Sequence, residues 1–115
     1  MNGHREIVDL LIKHGAAVDA HNYNGQTVLH LAVERGHKEV IGLLLHHQAA
    51  VDVRDNYTDT PLHKAARNGH YDIVDLLVNY GAAVDGRNRF LSTPLHFAAE
   101  KGHHKTLDLL IKRGA

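Results

Sequence analysis

The apolar positions of this chain fall into short stripes that recur at a fixed step. Ile73, Val74, Leu76 and Leu77 stand at i, i+1, i+3 and i+4, which is one face of a helix. The pairs Leu10-Leu11, Leu43-Leu44, Leu76-Leu77 and Leu109-Leu110 repeat every 33 residues without an insertion. Polar and small positions keep the same step. Thr27, Thr60 and Thr93 obey it, as do His30, His63 and His96, and Gly3, Gly36, Gly69 and Gly102, each followed by histidine. So many independent positions sharing one period predict an array of stacked units, not one mixed core.

Each unit reads as helix, turn, helix and extended finger. Thr60 caps the first helix, with Pro61 at the first helical position, where a missing N–H loses no bond. Thr93-Pro94 repeats this arrangement, and Thr27-Val28 keeps the cap without the proline. Ala65-Ala66 and Ala98-Ala99 put small side chains where neighbouring helices approach, and Gly69 and Gly102 close that helix. Gly81 stops the second helix, and Ala82-Ala83-Val84-Asp85 leads to a tight turn near Asn88. Helices of about 8–10 residues are marginal alone in water, so stability must come from stacking.

The signature TPLHKAARNGH from Thr60, TPLHFAAEKGH from Thr93 and the variant TVLHLAVERGH from Thr27 resembles the ankyrin repeat family over the whole chain. The resemblance implies an all-α solenoid of helix-turn-helix units with β-hairpin-like fingers. It also implies that the T-P-L-H histidine bonds to neighbouring backbone and fixes one unit against the next. Framed by the family pattern, residues 22–54 and 55–87 are complete repeats. Residues 1–21 supply the second half of one, and 88–115 a repeat lacking its finger. These half-units lead to the expectation of a piece excised from a longer array. An uncapped first helix (Ile7, Val8, Leu10, Leu11) is then expected to fray or self-associate.

Departures from the pattern mark local weakness. Gln48 replaces the helix-ending glycine seen at Gly15, Gly81 and Gly114. Thr58 and Leu91 stand where Gly25 occupies the finger turn, so those turns must strain or change type. Thr106-Leu107 replaces the usual branched apolar pair of the second helix.

Charge narrows the function. Thirteen basic and thirteen acidic side chains cancel, so no global field draws nucleic acid or an anionic membrane. No apolar run approaches the roughly 18 residues of a membrane span. With no cysteine, disulfides and thiolate metal sites are excluded, and an intracellular, reducing compartment is the expectation. The twelve histidines raise the question of metal. Repeat-equivalent histidines on adjacent units lie roughly 10 Å apart, whereas Zn–N bonds are ~2 Å, so one ion cannot bridge them. The adjacent pairs His46-His47 and His103-His104 do not face the same way on a helix. Neither metal nor cofactor is expected.

A catalytic reading fails for a related reason. Thr60 and His63 recur as Thr27/His30 and Thr93/His96, and catalytic pairs do not repeat in every unit. What differs between units is surface. The family places partners on the finger tips and the exposed, concave face of the first helices. Mapped here, the tips are His21, Tyr23, Asn24 and Gln26; Arg54, Asn56, Tyr57 and Asp59; Arg87, Arg89, Phe90 and Ser92. The helix positions are Glu34, Arg35, Arg67, Asn68, Glu100 and Lys101, preceded by Leu31, Lys64 and Phe97. An aromatic (Tyr23, Tyr57, Phe90) stands at or beside every tip, and Arg54, Arg67, Arg87 and Arg89 gather toward the C-terminal end. Tyrosine and arginine are common interface anchors. The expected function is a scaffold that grips a protein partner with some acidic character. The alternative is a spacer within a longer array with no partner site of its own.

Overall fold

The computed structural model describes residues 21–47 and 49–114. The expectations for Ile7, Val8, Leu10, Leu11 and Gln48 fall outside them. Among the described residues six helices follow in order: α1 (Val28–Arg35), α2 (Lys38–His46), α3 (Pro61–Asn68), α4 (Tyr71–Asn79), α5 (Pro94–Glu100) and α6 (His104–Lys112). Each odd-numbered helix packs on the even one that follows it. The odd helices α1, α3 and α5 also stack in a row, and α4 packs on α6. This is the all-α solenoid expected from the period. Among the described residues the fingers form no sheet, only one antiparallel bridge, His21 to Thr27.

The row of first helices is buried because its inward positions are apolar or small. Leu29, Val33, Leu62, Ala65, Ala66 and Ala98 are fully enclosed, and Ile41, Leu44, Val74, Leu77 and Leu110 close the layer from the second helices. The alanines let α3 sit between α1 and α5.

The threonine caps form as expected, with histidine as the second partner. The Thr27, Thr60 and Thr93 hydroxyls accept from the backbone N–H of His30, His63 and His96 at 3.3–3.4 Å. The histidine Nδ1 atoms accept from the threonine N–H groups at 2.9–3.1 Å. A capping box ordinarily uses glutamate or glutamine in this role. Using imidazole leaves the Nε2 side for a longer reach. With Nδ1 accepting, the ring proton sits on Nε2, which donates from His30 to the Asp59 carbonyl (3.0 Å) and from His63 to the Ser92 carbonyl (2.9 Å). One ring thus joins a cap, a helix and the following finger.

A second histidine row lies at the other end of the first helices. Gly36 and Gly69 adopt φ of 71° and 73°, and a Cβ at either would stand 2.6 Å from the ring of His70 or His103. Glycine therefore serves two demands there, a left-handed cap and a seat for the ring. The His103 Nε2–H donates to the Arg67 carbonyl at 2.9 Å.

The weak points expected at Thr58, Leu91 and Thr106 are present. Thr58 and Leu91 are held at φ of 62° and 64°, so the turns keep their type and take the strain. For residues with a Cβ this conformation costs about 1–2 kcal/mol. Thr106 occupies the core position held by Val40 and Ile73 in the preceding units and is 1% exposed. Its hydroxyl has no hydrogen-bond partner among the described residues. Thr106→Val is therefore expected to raise the unfolding free energy by about 1 kcal/mol, the low end of the penalty for an unmade buried bond. The check is a higher urea midpoint at unchanged slope; a lower midpoint would mean the hydroxyl contributes to stability.

Candidate functional site: the finger comb and inner helix face

Each finger is built around one Asx side chain. Asn22, Asp55 and Asn88 turn Oδ1 back to accept two backbone N–H groups. These belong to Asn24 and Gln26, Tyr57 and Asp59, and Phe90 and Ser92, at 2.9–3.0 Å. The backbone repeats one pattern. Asn22, Asp55 and Asn88 donate to the carbonyls of Gln26, Asp59 and Ser92, and accept from Gly25, Thr58 and Leu91. That is a three-residue hairpin loop, a turn followed by a left-handed residue. The side chain fixes the turn before any neighbour contributes.

Neighbouring fingers are then tied together. The Asn56 backbone N–H donates to the Asn24 carbonyl at 2.8 Å and its Nδ2 to the Tyr23 carbonyl at 2.7 Å. One repeat on, Arg89 Nη2 donates to the Asn56 carbonyl. Arg54 Nη1 bridges the Thr58 and Arg87 carbonyls at 2.8 and 2.7 Å. Asn88 Nδ2 donates to the Asp59 carboxylate at 2.8 Å. The result is a comb with fixed teeth.

Several residues expected on the docking surface are occupied otherwise. Asp59 is 5% exposed, because it lies between fingers and accepts from Asn88. Its place among the exposed tips is corrected accordingly. Lys64, expected on the open helix face, is 5% exposed and pairs with the buried Asp55 at 3.5 Å. Arg54 and Arg89 spend donors on finger carbonyls, as does Asn56. Gln26 is half-buried, its side-chain oxygen accepting from Asn22. Tyr23, Asn24 and Arg87 remain exposed.

Three aromatics stay outward on the comb, Tyr23 fully, Tyr57 at 58% exposure and Phe90 at 70%. Arg89 lies over the Tyr57 ring at 5.9 Å. On the helix face, Phe97 is half-buried, edge-on to His63 at 5.6 Å and covered by Arg67 at 5.4 Å. The sequence pattern places Phe97 just before the site, and the structure makes it a platform within it. The signal was available: its column reads Leu31, Lys64, Phe97, three unlike residues at one repeat position.

Burial lowers the pKa of both His30 and His63, against the opposing pull of the Asp59 and Ser92 carbonyls. Among the described residues no three histidine or acidic side chains cluster as metal ligands, and no helix is long and apolar enough to cross a membrane.

Against known families, a model described as ankyrin repeats (3 copies) matches residues 1–56 and 48–115. The chain belongs to the ankyrin-repeat family. Comparison with curated proteins gives no match. Ankyrin repeats are generally protein–protein interaction modules and typically non-enzymatic scaffolds. The hydrogen-bonded fingers and capped first helices described above are the frame on which such a module carries its variable residues.

Proposed function

We propose that this ankyrin array binds a partner protein through its finger tips and the inner face of α1, α3 and α5. The observation that carries this reading is the exposure of Tyr57 and Phe90 on fingers that are already fixed. Aromatic side chains bring large contact area with few rotatable bonds. Holding them on a tied comb lowers the ordering cost of association. Asn24 and Arg87 form the polar edge around them.

The test is affinity for a partner captured by the chain, comparing the wild type with the Tyr57→Ala/Phe90→Ala variant. Both side chains are exposed, so the fold is expected to survive, which an unchanged urea midpoint would establish. Binding is expected to weaken at least tenfold, about 1.4 kcal/mol. Unchanged affinity would remove the second and third finger tips from the site. It would favour the spacer reading, in which these units only hold others in place.

A further inference from the structure

We infer that the inner face between α3 and α5 recognises a carboxylate on an extended segment of the partner, with Arg67 as its receptor. The inference rests on the protein-binding reading above and names the chemistry that the surface selects.

Arg67 differs from Arg54, Arg89 and Arg113. Arg54 and Arg89 donate to finger carbonyls, and Arg113 donates to Asp75 and Asn79. The Arg67 side chain is half-buried yet makes no hydrogen bond or ion pair among the described residues. Its guanidinium carbon lies 5.4 Å from the centre of the Phe97 ring. A contact of this kind leaves guanidinium N–H groups free, and they form a planar fork that matches a carboxylate. Phe97 in turn is steadied by the His63 ring, and His63 is fixed at both nitrogens by Thr60 and Ser92. The receptor is therefore positioned before a ligand arrives.

The charges nearby point the same way. Asp55 is matched by Lys64 and Asp59 accepts from Asn88, so both acids are internal to the comb. Glu34 and Glu100 hold the positions equivalent to Arg67 on either side and are exposed. They stand roughly 10 Å away, one packed helix on each side. The row thus reads negative, positive, negative. Within this column a carboxylate gains at the level of Arg67, which sets the register of the segment across the comb. Tyr57 and Phe90 take apolar side chains of the same segment where it reaches the finger tips.

The experiment uses a fluorescent random copolymer of glutamate and tyrosine, titrated by anisotropy at near-physiological salt. A lysine–tyrosine copolymer and an oligothymidylate serve as the opposite-charge and phosphate probes. Arg67→Gln is expected to weaken glutamate–tyrosine binding about tenfold. Arg67→Lys is expected to lose most of the same factor, because the charge remains and the fork does not. Glu100→Gln is expected to tighten binding two- to threefold by removing a competing carboxylate. Unchanged binding by Arg67→Gln, full retention by Arg67→Lys, or weakening by Glu100→Gln would overturn the inference. So would preference for the lysine copolymer or for oligothymidylate. Loss of binding in Tyr57→Ala/Phe90→Ala alongside an inert Arg67→Gln would sink the carboxylate receptor and leave the docking face intact.

Discussion

Asp55→Ala is expected to lower the unfolding free energy by about 3–5 kcal/mol, the range for breaking a buried pair from one side. Two losses combine. The Lys64 ammonium, buried with its partner 3.5 Å away, is left uncompensated. The N–H groups of Tyr57 and Asp59 lose the oxygen that shapes the second finger. The array itself supplies the rescue. At the equivalent positions the first unit carries Asn22 with Leu31, and the last carries Asn88 with Phe97. Asparagine keeps the turn oxygen, and the apolar partner removes the charge that needs an answer. Asp55→Asn/Lys64→Leu is therefore expected to recover most of the loss, and replacing a buried ion pair by apolar packing is often neutral or stabilising. Urea midpoints at constant slope measure all three proteins. A double variant as unstable as Asp55→Ala would show that the ion pair contributes something that apolar packing cannot replace.

Acidification is expected to loosen the stack through His30 and His63. Burial lowers both folded-state pKa values, so the unfolded chain binds more protons than the folded one. The associated stability is fully present above the unfolded value, about 6.5. It is lost as pH falls below that value, until the folded pKa is reached. The slope approaches about 1.4 kcal/mol per pH unit for each histidine. The geometry gives the same sign. Nδ1 of each ring accepts from a threonine N–H, and a proton placed there sets donor against donor. Asp55, Asp59 and Lys64 act on His30, and Asp59 and Arg54 on His63, as smaller influences. Urea midpoints at pH 7.5 and pH 5.5 test this, and His63→Gln should flatten the dependence by one proton. Equal midpoints would mean that both rings charge in place.

The array, its helices and their caps were legible in the sequence because each rests on a column that recurs every 33 residues. Thr27, Thr60 and Thr93 need only their own helix to act, so local chemistry suffices to read them. The site was less legible. Asp59, Lys64, Arg54 and Arg89 look like surface polar residues when one unit is read alone. In the stack, Arg54, Arg89 and Asp59 are consumed by partners in adjacent units and Lys64 by Asp55 of its own finger, since a solenoid makes its long-range contacts between repeats. The signal lay across columns. Asn22, Asp55 and Asn88 change charge only where Leu31, Lys64 and Phe97 change with them.

That linkage has a consequence for how such arrays can be shuffled. A crossover between repeats placed within residues 56–63 separates position 55 from position 64. It yields either an aspartate facing leucine or phenylalanine, or a lysine facing asparagine, each with one buried charge and no answer. A crossover just before residue 55, or beyond residue 64, carries both together. Only breakpoints that leave a finger attached to the helix after it are expected to give soluble chimeras. The inheritable module of this solenoid is thus the finger with its following helix, a block that a breakpoint between residues 54 and 55 leaves whole.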